Sequence, residues 1–451
     1  MNASSTLTLT YDVLSHNEAV VYVGGISNLP GSVLRVANRA FIGNRAIGKS
    51  TDPSVFAEGG GIWNAEHGVT STVTGCTFIG NQAIGADGGV IQAGVGNGAP
   101  RDAANGGAIH NEGLGGQPDT LVVENSTFTG NEAIGGNGGS SGNTTGLYFI
   151  GSATGGAIAN DEGGNLVVSG SAFSYNQALG GSNVTGSTSG QGRLGHAIGG
   201  AVQNSGTDTV TGSAFDHNEA LGGNGNTGGS SDFIVGRRVG GAIGNFSFSS
   251  PATLTVSRST FTNNHAVGGT GNTGGAFVGD GIGGGLENER GATATVTGTT
   301  FTGNQAIGGA GATGQPGADG LGGGLGNILG ATLTVSGCTL RGNQAVGGIG
   351  GAGGNGGNGF GGGIFNDGLS IAQANAGTPA TLTVLGSIIT ENQAAGGAAG
   401  SGASAGQGVS GGVYFASGGT VCLDAYTAAH IFGNTASTSN NDVFCSLTIC
   451  G

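Results

Sequence analysis

The chain has 451 residues, of which 107 are glycine and only 8 % are charged, against roughly 25 % charged in an ordinary soluble domain. A net charge of −14, with 11 basic residues, argues against nucleic acid or an anionic membrane as partner. No window approaches the ~18 continuous apolar residues of a membrane span, and the opening Met1-Asn2-Ala3-Ser4-Ser5 has neither the basic nor the apolar region of a secretory leader.

In chain order, the first element alternates Thr6, Thr8 and Thr10 with Leu7 and Leu9, and Leu14 with Asn17 follows it. The second runs through Val33 and Arg35 to Phe41-x-x-Asn44. From there a unit recurs. A Gly-Gly-x-Ile piece comes first, as at 59–62, 106–109, 155–158 and 240–243, with an asparagine two residues on: Asn64, Asn111, Asn160 and Asn245. A β-branched run with period two comes next, as in Thr253-Leu254-Thr255-Val256-Ser257. A Phe-x-x-Asn piece closes the unit, from Phe78 to Asn81, Phe128 to Asn131, Phe173 to Asn176, Phe215 to Asn218, Phe261 to Asn264 and Phe301 to Asn304. Leu340/Asn343, Ile389/Asn392 and Ile431/Asn434 continue it with an aliphatic residue. The copies lie about 42 residues apart and span almost the whole chain.

Strict alternation predicts strands with Leu254 and Val256 inward and Thr253 and Thr255 outward. One such unit cannot bury its apolar side, but stacked units at ~4.8 Å per rung share a continuous core. The expectation is an all-β parallel β-helix of about eleven rungs, roughly 50 Å long. Residues 1–421 are read as the repeat body and 422–451 as a C-terminal cap of the same body. The repeated asparagines read as turn residues that bond to one another, and the phenylalanines as an internal stack.

Glycine-rich inserts fall at one corner, after each Asn-Gln-Ala-Ile-Gly stretch. Glycine recurs every third residue at Gly308, Gly311, Gly314, Gly317, Gly320 and Gly323, and again from Gly347 to Gly362. Period three is the mark of a polyproline-II-type helix. These inserts are expected to be stacked polyglycine-II-like segments that double back, the first at Gln315-Pro316-Gly317. Inserts 136–154 and 223–239 are irregular and read as loops.

The Gly-Gly-Ala-Ile and Phe-x-x-Asn pair resembles the repeats of chlamydial polymorphic membrane proteins and, more broadly, bacterial right-handed β-helices of the pectin-lyase-like type. That resemblance implies right-handed coiling and a secreted or cell-surface location. It leaves activity open, since the fold carries lyases, hydrolases and adhesins alike.

Candidate sites are few. Glu66, Glu112, Asp161 and Glu162 follow the second asparagine on three consecutive rungs, and a ladder of carboxylates about 5 Å apart would suit calcium. His67 and His110 lie beside them. The outward pairs Thr253/Thr255, Thr293/Thr295, Thr332/Thr334 and Thr381/Thr383 form a grid similar to the ice-binding face of some antifreeze proteins. The fragments around Asp280 and Asp319 faintly resemble calcium-binding nonapeptide repeats. Basic residues are too sparse to place a lyase base, and Arg101 lies in an insert. Of five cysteines, Cys422, Cys445 and Cys450 are close enough in sequence to supply a bridge.

The expected role is an extracellular or cell-surface structural, adhesin-like protein that binds glycan or another extended surface without catalysis. Its ends could associate with other copies. The alternatives are a calcium-dependent polysaccharide lyase or hydrolase, and an ice-binding protein.

Overall fold

Leu254 and Val256 point inward and are fully buried, whereas Thr253 and Thr255 are exposed. Each strand of this type pairs in parallel and in register with its counterpart one repeat away, as Thr253 with Thr207 on one side and Thr293 on the other. The computed structural model describes residues 5–49, 56–65, 68–90, 100–101, 103–113, 117–142, 147–187, 191–229, 234–367, 379–416, 418–444 and 448–449. They form a right-handed parallel β-helix, the hand that parallel β connections adopt. One sheet of twelve strands carries the Thr-x-Thr pieces, and sheets of eleven carry the Phe, the Gln-Ala-Ile and the Gly-Gly-Ala-Ile pieces.

Two asparagine columns fasten the corners. Asn176 Nδ2 donates to Asn218 Oδ1 at 2.9 Å, Asn218 to Asn264 at 2.9 Å and Asn264 to Asn304 at 2.8 Å. Each amide also donates to a phenylalanine carbonyl, as Asn218 Nδ2 to Phe173 O at 3.0 Å. The second column runs Asn160, Asn204, Asn245, Asn288 with spacings of 2.7 to 2.8 Å. Inside, Phe41, Phe78, Phe128, Phe173, Phe215, Phe261 and Phe301 stack with centroids 4.6 to 4.8 Å apart. The rung spacing brings the rings to the short end of favourable aromatic separation.

Gly106 and Gly107 show why the Gly-Gly corner cannot vary. Gly106 holds φ +62, and a Cβ on Gly107 would lie 2.2 Å from the Gly156 carbonyl oxygen. A left-handed turn followed by contact with the next rung leaves room for hydrogen alone.

The inserts form an outer layer against the Gly-Gly-Ala-Ile side. In its first part, residues 100–101, 147–150, 191–194, 234–235 and 277–278 pair as a five-stranded parallel sheet. Inserts 136–154 and 223–239 therefore contribute short strands where the sequence suggests loops, because their apolar pieces pack inward. Ile198, Val239, Ile282 and Leu321 from the solenoid meet Ile234 and Phe277 from the layer in a second, smaller core.

Further along, the layer changes character. Gly311, Gly314, Gly317 and Gly320 donate from their amides to the carbonyls of Ile349, Ala352, Asn355 and Asn358, each at 2.8 Å. Gly350, Gly353, Gly356 and Gly359 repeat this toward Ala398, Ser401, Ser404 and Gln407 at 2.8 to 3.1 Å. Each insert doubles back on itself, as the Ala318 amide bonding to Gly309 O at 2.9 Å shows. The reversal lies at Ala312–Gln315, with Gly314 at φ +76, not at Gln315-Pro316-Gly317. Proline opens the return leg, since only glycine takes the left-handed position.

Residues beyond 421 add strands at 431–432, 435–436, 443–444 and 448–449 to the existing sheets. A five-residue helix, Ala425–Ala429, intervenes, capped by Asp424. Cys422 is disulfide-bonded, while Cys445 and Cys450 lie outside the described residues. Cys76 and Cys338 are free and buried.

Candidate functional site

The acidic ladder separates into individual contacts. Glu66 and His67 lie outside the described residues. Trp63 Nε1 donates to Glu112 Oε2 at 3.0 Å, and His110 Nε2 lies 2.9 Å from Asp161 Oδ2. Glu162 turns the other way and accepts from the Ser249 hydroxyl at 2.6 and 2.7 Å. Burial would raise the Glu162 carboxyl, but bonds from Ser249 and Ser250 outweigh it and hold it below its ordinary value. Burial alone would lower His110; the Asp161 carboxylate, helped by Glu58 and Glu112, raises it to about 9 instead. Among the described residues, no three His, Cys or carboxylate side chains converge as a metal centre requires.

The threonine grid lies in register. Thr253, Thr293, Thr332 and Thr381 make one column, and Thr255, Thr295, Thr334 and Thr383 the other. Val33, Arg35, Val122, Asn165 and Val167 interrupt the same columns toward the N-terminal end. The grid is a strip two threonines wide along these rungs.

A concavity lies elsewhere, where the period-three arms meet the outer face of the solenoid. It is a groove of about 760 Å³. The sequence reading passed over it. Its floor comes from the outward position just before the corner residue, Phe365 before Asn366 and Tyr414 before Phe415 on the next rung; Gly326 holds the same register one rung earlier, outside the lining. Tyr414 stacks on Phe365 with centroids 5.4 Å apart and planes 6° from parallel, and lies 4.7 Å from Phe360. Phe277 closes the near end.

One wall is a polar column. Asp280, Asp319, Asn358 and Gln407 follow one another rung by rung, one residue before the short inner strands, and the buried Arg237 holds the same register one rung earlier, outside the groove lining. The Asp319 amide donates to Asp280 Oδ1 at 3.1 Å. Asn358 donates to Asp319 Oδ1 from its backbone at 2.6 Å and its side chain at 3.1 Å. Burial, reinforced by the neighbouring Asp319 carboxylate, raises Asp280 to about 7. Burial also raises Asp319, against the bonds from Asn358. Two carboxyls on adjacent rungs therefore both hold their protons more tightly than a free aspartate. The exposed Gln315, Pro316, Asn355 and Gln407 form the rim.

Behind this wall the chain buries charge. Arg237 Nη2 donates to Glu289 Oε2 at 2.7 Å, with both side chains fully buried. Glu287, on the same strand as Glu289, is pushed well above its ordinary value by burial and then by the Glu289 charge. Arg193 and Arg238 are fully buried as well. Three of the few basic residues therefore sit between the layers, away from solvent. Sequence pattern could have flagged Asp280 and Asp319 only as equivalent residues one repeat apart; which aromatic residues they face depends on how the arms fold back.

No protein-family model matches the chain, and no curated protein matches it. A solved structure that is similar is a double mutant of the periplasmic alginate epimerase AlgG, at 11 % identity, covering 91 % of this chain and 77 % of that one with a TM-score of 0.29. A likeness at that score carries no weight for fold or activity, and the fold stands on the strand ladders themselves.

Proposed function

We propose that the protein is an extracellular or cell-surface β-helix that binds glycan non-catalytically in the groove beneath the glycine-rich arms. The observation that carries this is the pairing of Phe360, Phe365 and Tyr414 with Asp280, Asp319 and the amides of Asn355 and Gln407 in one open concavity. Apolar faces beside directed hydrogen-bonding groups suit a pyranose ring, whose C–H face packs on an aromatic and whose edge presents hydroxyls. The resemblance of the repeats to those of chlamydial polymorphic membrane proteins supports the surface location. A glycan array probed with the whole chain, beside its Tyr414→Ala variant, tests it; the proposal requires binding that the variant loses.

A second role is favoured by the Asp280 and Asp319 carboxyls, one rung or ~4.8 Å apart along the sheet. A pair of carboxyls flanking the scissile bond is what hydrolysis of a glycosidic bond by water employs. Release of reducing ends from a bound glycan, lost in Asp280→Asn, would establish this role in place of binding alone.

A further inference from the structure

We infer that the groove selects uncharged, hydroxyl-rich polysaccharides and excludes polyuronates and sulfated chains. The inference rests on the glycan-binding role and adds the ligand class. Its basis is the charge that reaches the groove. Asp280, Asp319 and Asp367 line it, and among its described lining residues there is no lysine, arginine or histidine.

The nearest cation, Arg237, is committed to Glu289 at 2.7 Å and has no exposed side-chain surface. Arg193 and Arg238 are likewise fully buried, so among the described residues lining the groove no guanidinium is present to form the forked contact that recognises a carboxylate or sulfate. The wider field has the same sign, with a net charge of −14 over the chain. A negative field over a concave site keeps anionic ligands away and leaves neutral ones unaffected. An anionic sugar ring seated on Tyr414 would also bring its charge beside the Asp319 column, with no cation in the described lining to pair with it.

A neutral ring meets no such opposition. Its hydroxyls donate to carboxylate oxygens and accept from the rim amides of Gln315, Asn355 and Gln407. Acids and amides without cations form a wall that reads hydroxyl groups. The phenyl and phenol faces opposite are indifferent to charge and supply affinity for either class. Discrimination therefore lies on the Asp280–Asp319 side.

The test is titration calorimetry of the whole chain with cello-, manno-, xylo- and malto-oligosaccharides against oligogalacturonate and oligomannuronate of equal length, at low salt and neutral pH. The expected result is binding of at least one neutral series, lost in Tyr414→Ala, with the acidic series at least tenfold weaker. Asp319→Asn keeps the shape of the wall and should narrow that gap, as should added salt. Acidic oligosaccharides binding as tightly as neutral ones, with loss in Tyr414→Ala, would overturn the selectivity and leave the groove as a glycan site. Binding of neither class, or binding that Tyr414→Ala leaves intact, would overturn the glycan role itself. Circular dichroism of both variants separates lost binding from lost folding.

Discussion

Asp208 pairs in register with Leu254, at a position that points into the centre of the solenoid. On the other side its partner is Leu166. The carboxyl is fully buried, and neither oxygen meets a donor at hydrogen-bonding geometry among the described residues. Burial raises its proton affinity to about 8, opposed only by the Thr209 backbone amide. Asp208 is thus a neutral acid in a column whose other described members are apolar except for Ser71.

The sign of its effect on stability follows. An unfolded aspartate ionises near pH 4, so between there and pH 8 the folded chain holds one proton more and stability falls as pH rises. Across that window the loss is on the order of 5 kcal/mol. Asp208→Leu, which matches its neighbours, should raise the melting temperature, with a larger gain at pH 8 than at pH 4. Equal gains at both pH values in thermal melts would show that the carboxyl is solvated.

Asn218 tests the corner columns. Its amide accepts from Asn176 and donates to Phe173 O and Asn264. Asn218→Ala removes these bonds and leaves the buried Asn176 backbone N–H without its acceptor and its side-chain amide with only Phe128 O. Unmade buried bonds cost about 1–3 kcal/mol each, so a loss of about 3 kcal/mol is expected. Asn218→Asp should recover little, because it restores the acceptor but not the donor. Urea midpoints of the two variants provide the comparison.

These columns were legible in sequence because a stacked fold repeats one environment many times. Eleven corners that all need a self-pairing amide write asparagine eleven times, and Phe78 announces Phe128. Asp208 was legible too, since alternation alone places the residue between Thr207 and Thr209 inward. The groove was not, because its residues do not repeat. Gly326, Phe365 and Tyr414 share one outward column yet have nothing in common chemically. Its other wall depends on where the arms reverse, and Pro316 marks the start of the return leg instead of the turn. The acidic ladder shows a related effect: Glu112, Asp161 and Glu162 are neighbours along the stack, yet Trp63, His110 and Ser249 each engage a different one of them.

Gly357 tests whether the arms hold together as a lattice. Its amide donates to Gly348 O at 2.8 Å, and a Cβ there would lie 1.9 Å from the Ala318 carbonyl oxygen. Gly357→Ala must push the second arm off the first, at a cost of about 1–3 kcal/mol. Hydrogen exchange should quicken over residues 308–320 and 347–359 while the Thr-x-Thr strands keep their protection. Unchanged exchange in the arms would mean that their backbone bonds do not persist in solution.

The pair His110 and Asp161 gives a pH signature of the same sign as Asp208 in a higher window, but here the charged form is the one that folding stabilises. His110 is almost wholly buried, and its proton affinity is raised from the ordinary 6.5 to about 9. A histidine that gains affinity on folding contributes stability in full below about pH 6.5, and the contribution fades as pH rises through 9. The shift corresponds to about 3 kcal/mol. Asp161→Asn removes the charge that outweighs burial, so the imidazole should then titrate below its ordinary value. Proton NMR of the His110 ring measures both: titration near 9 in the native chain and below 6.5 in Asp161→Asn. The variant should also lose stability at pH 6 and converge on the native chain above pH 9. A His110 ring that titrates near 6.5 in both proteins would place it in solvent, with Asp161 free to take another partner.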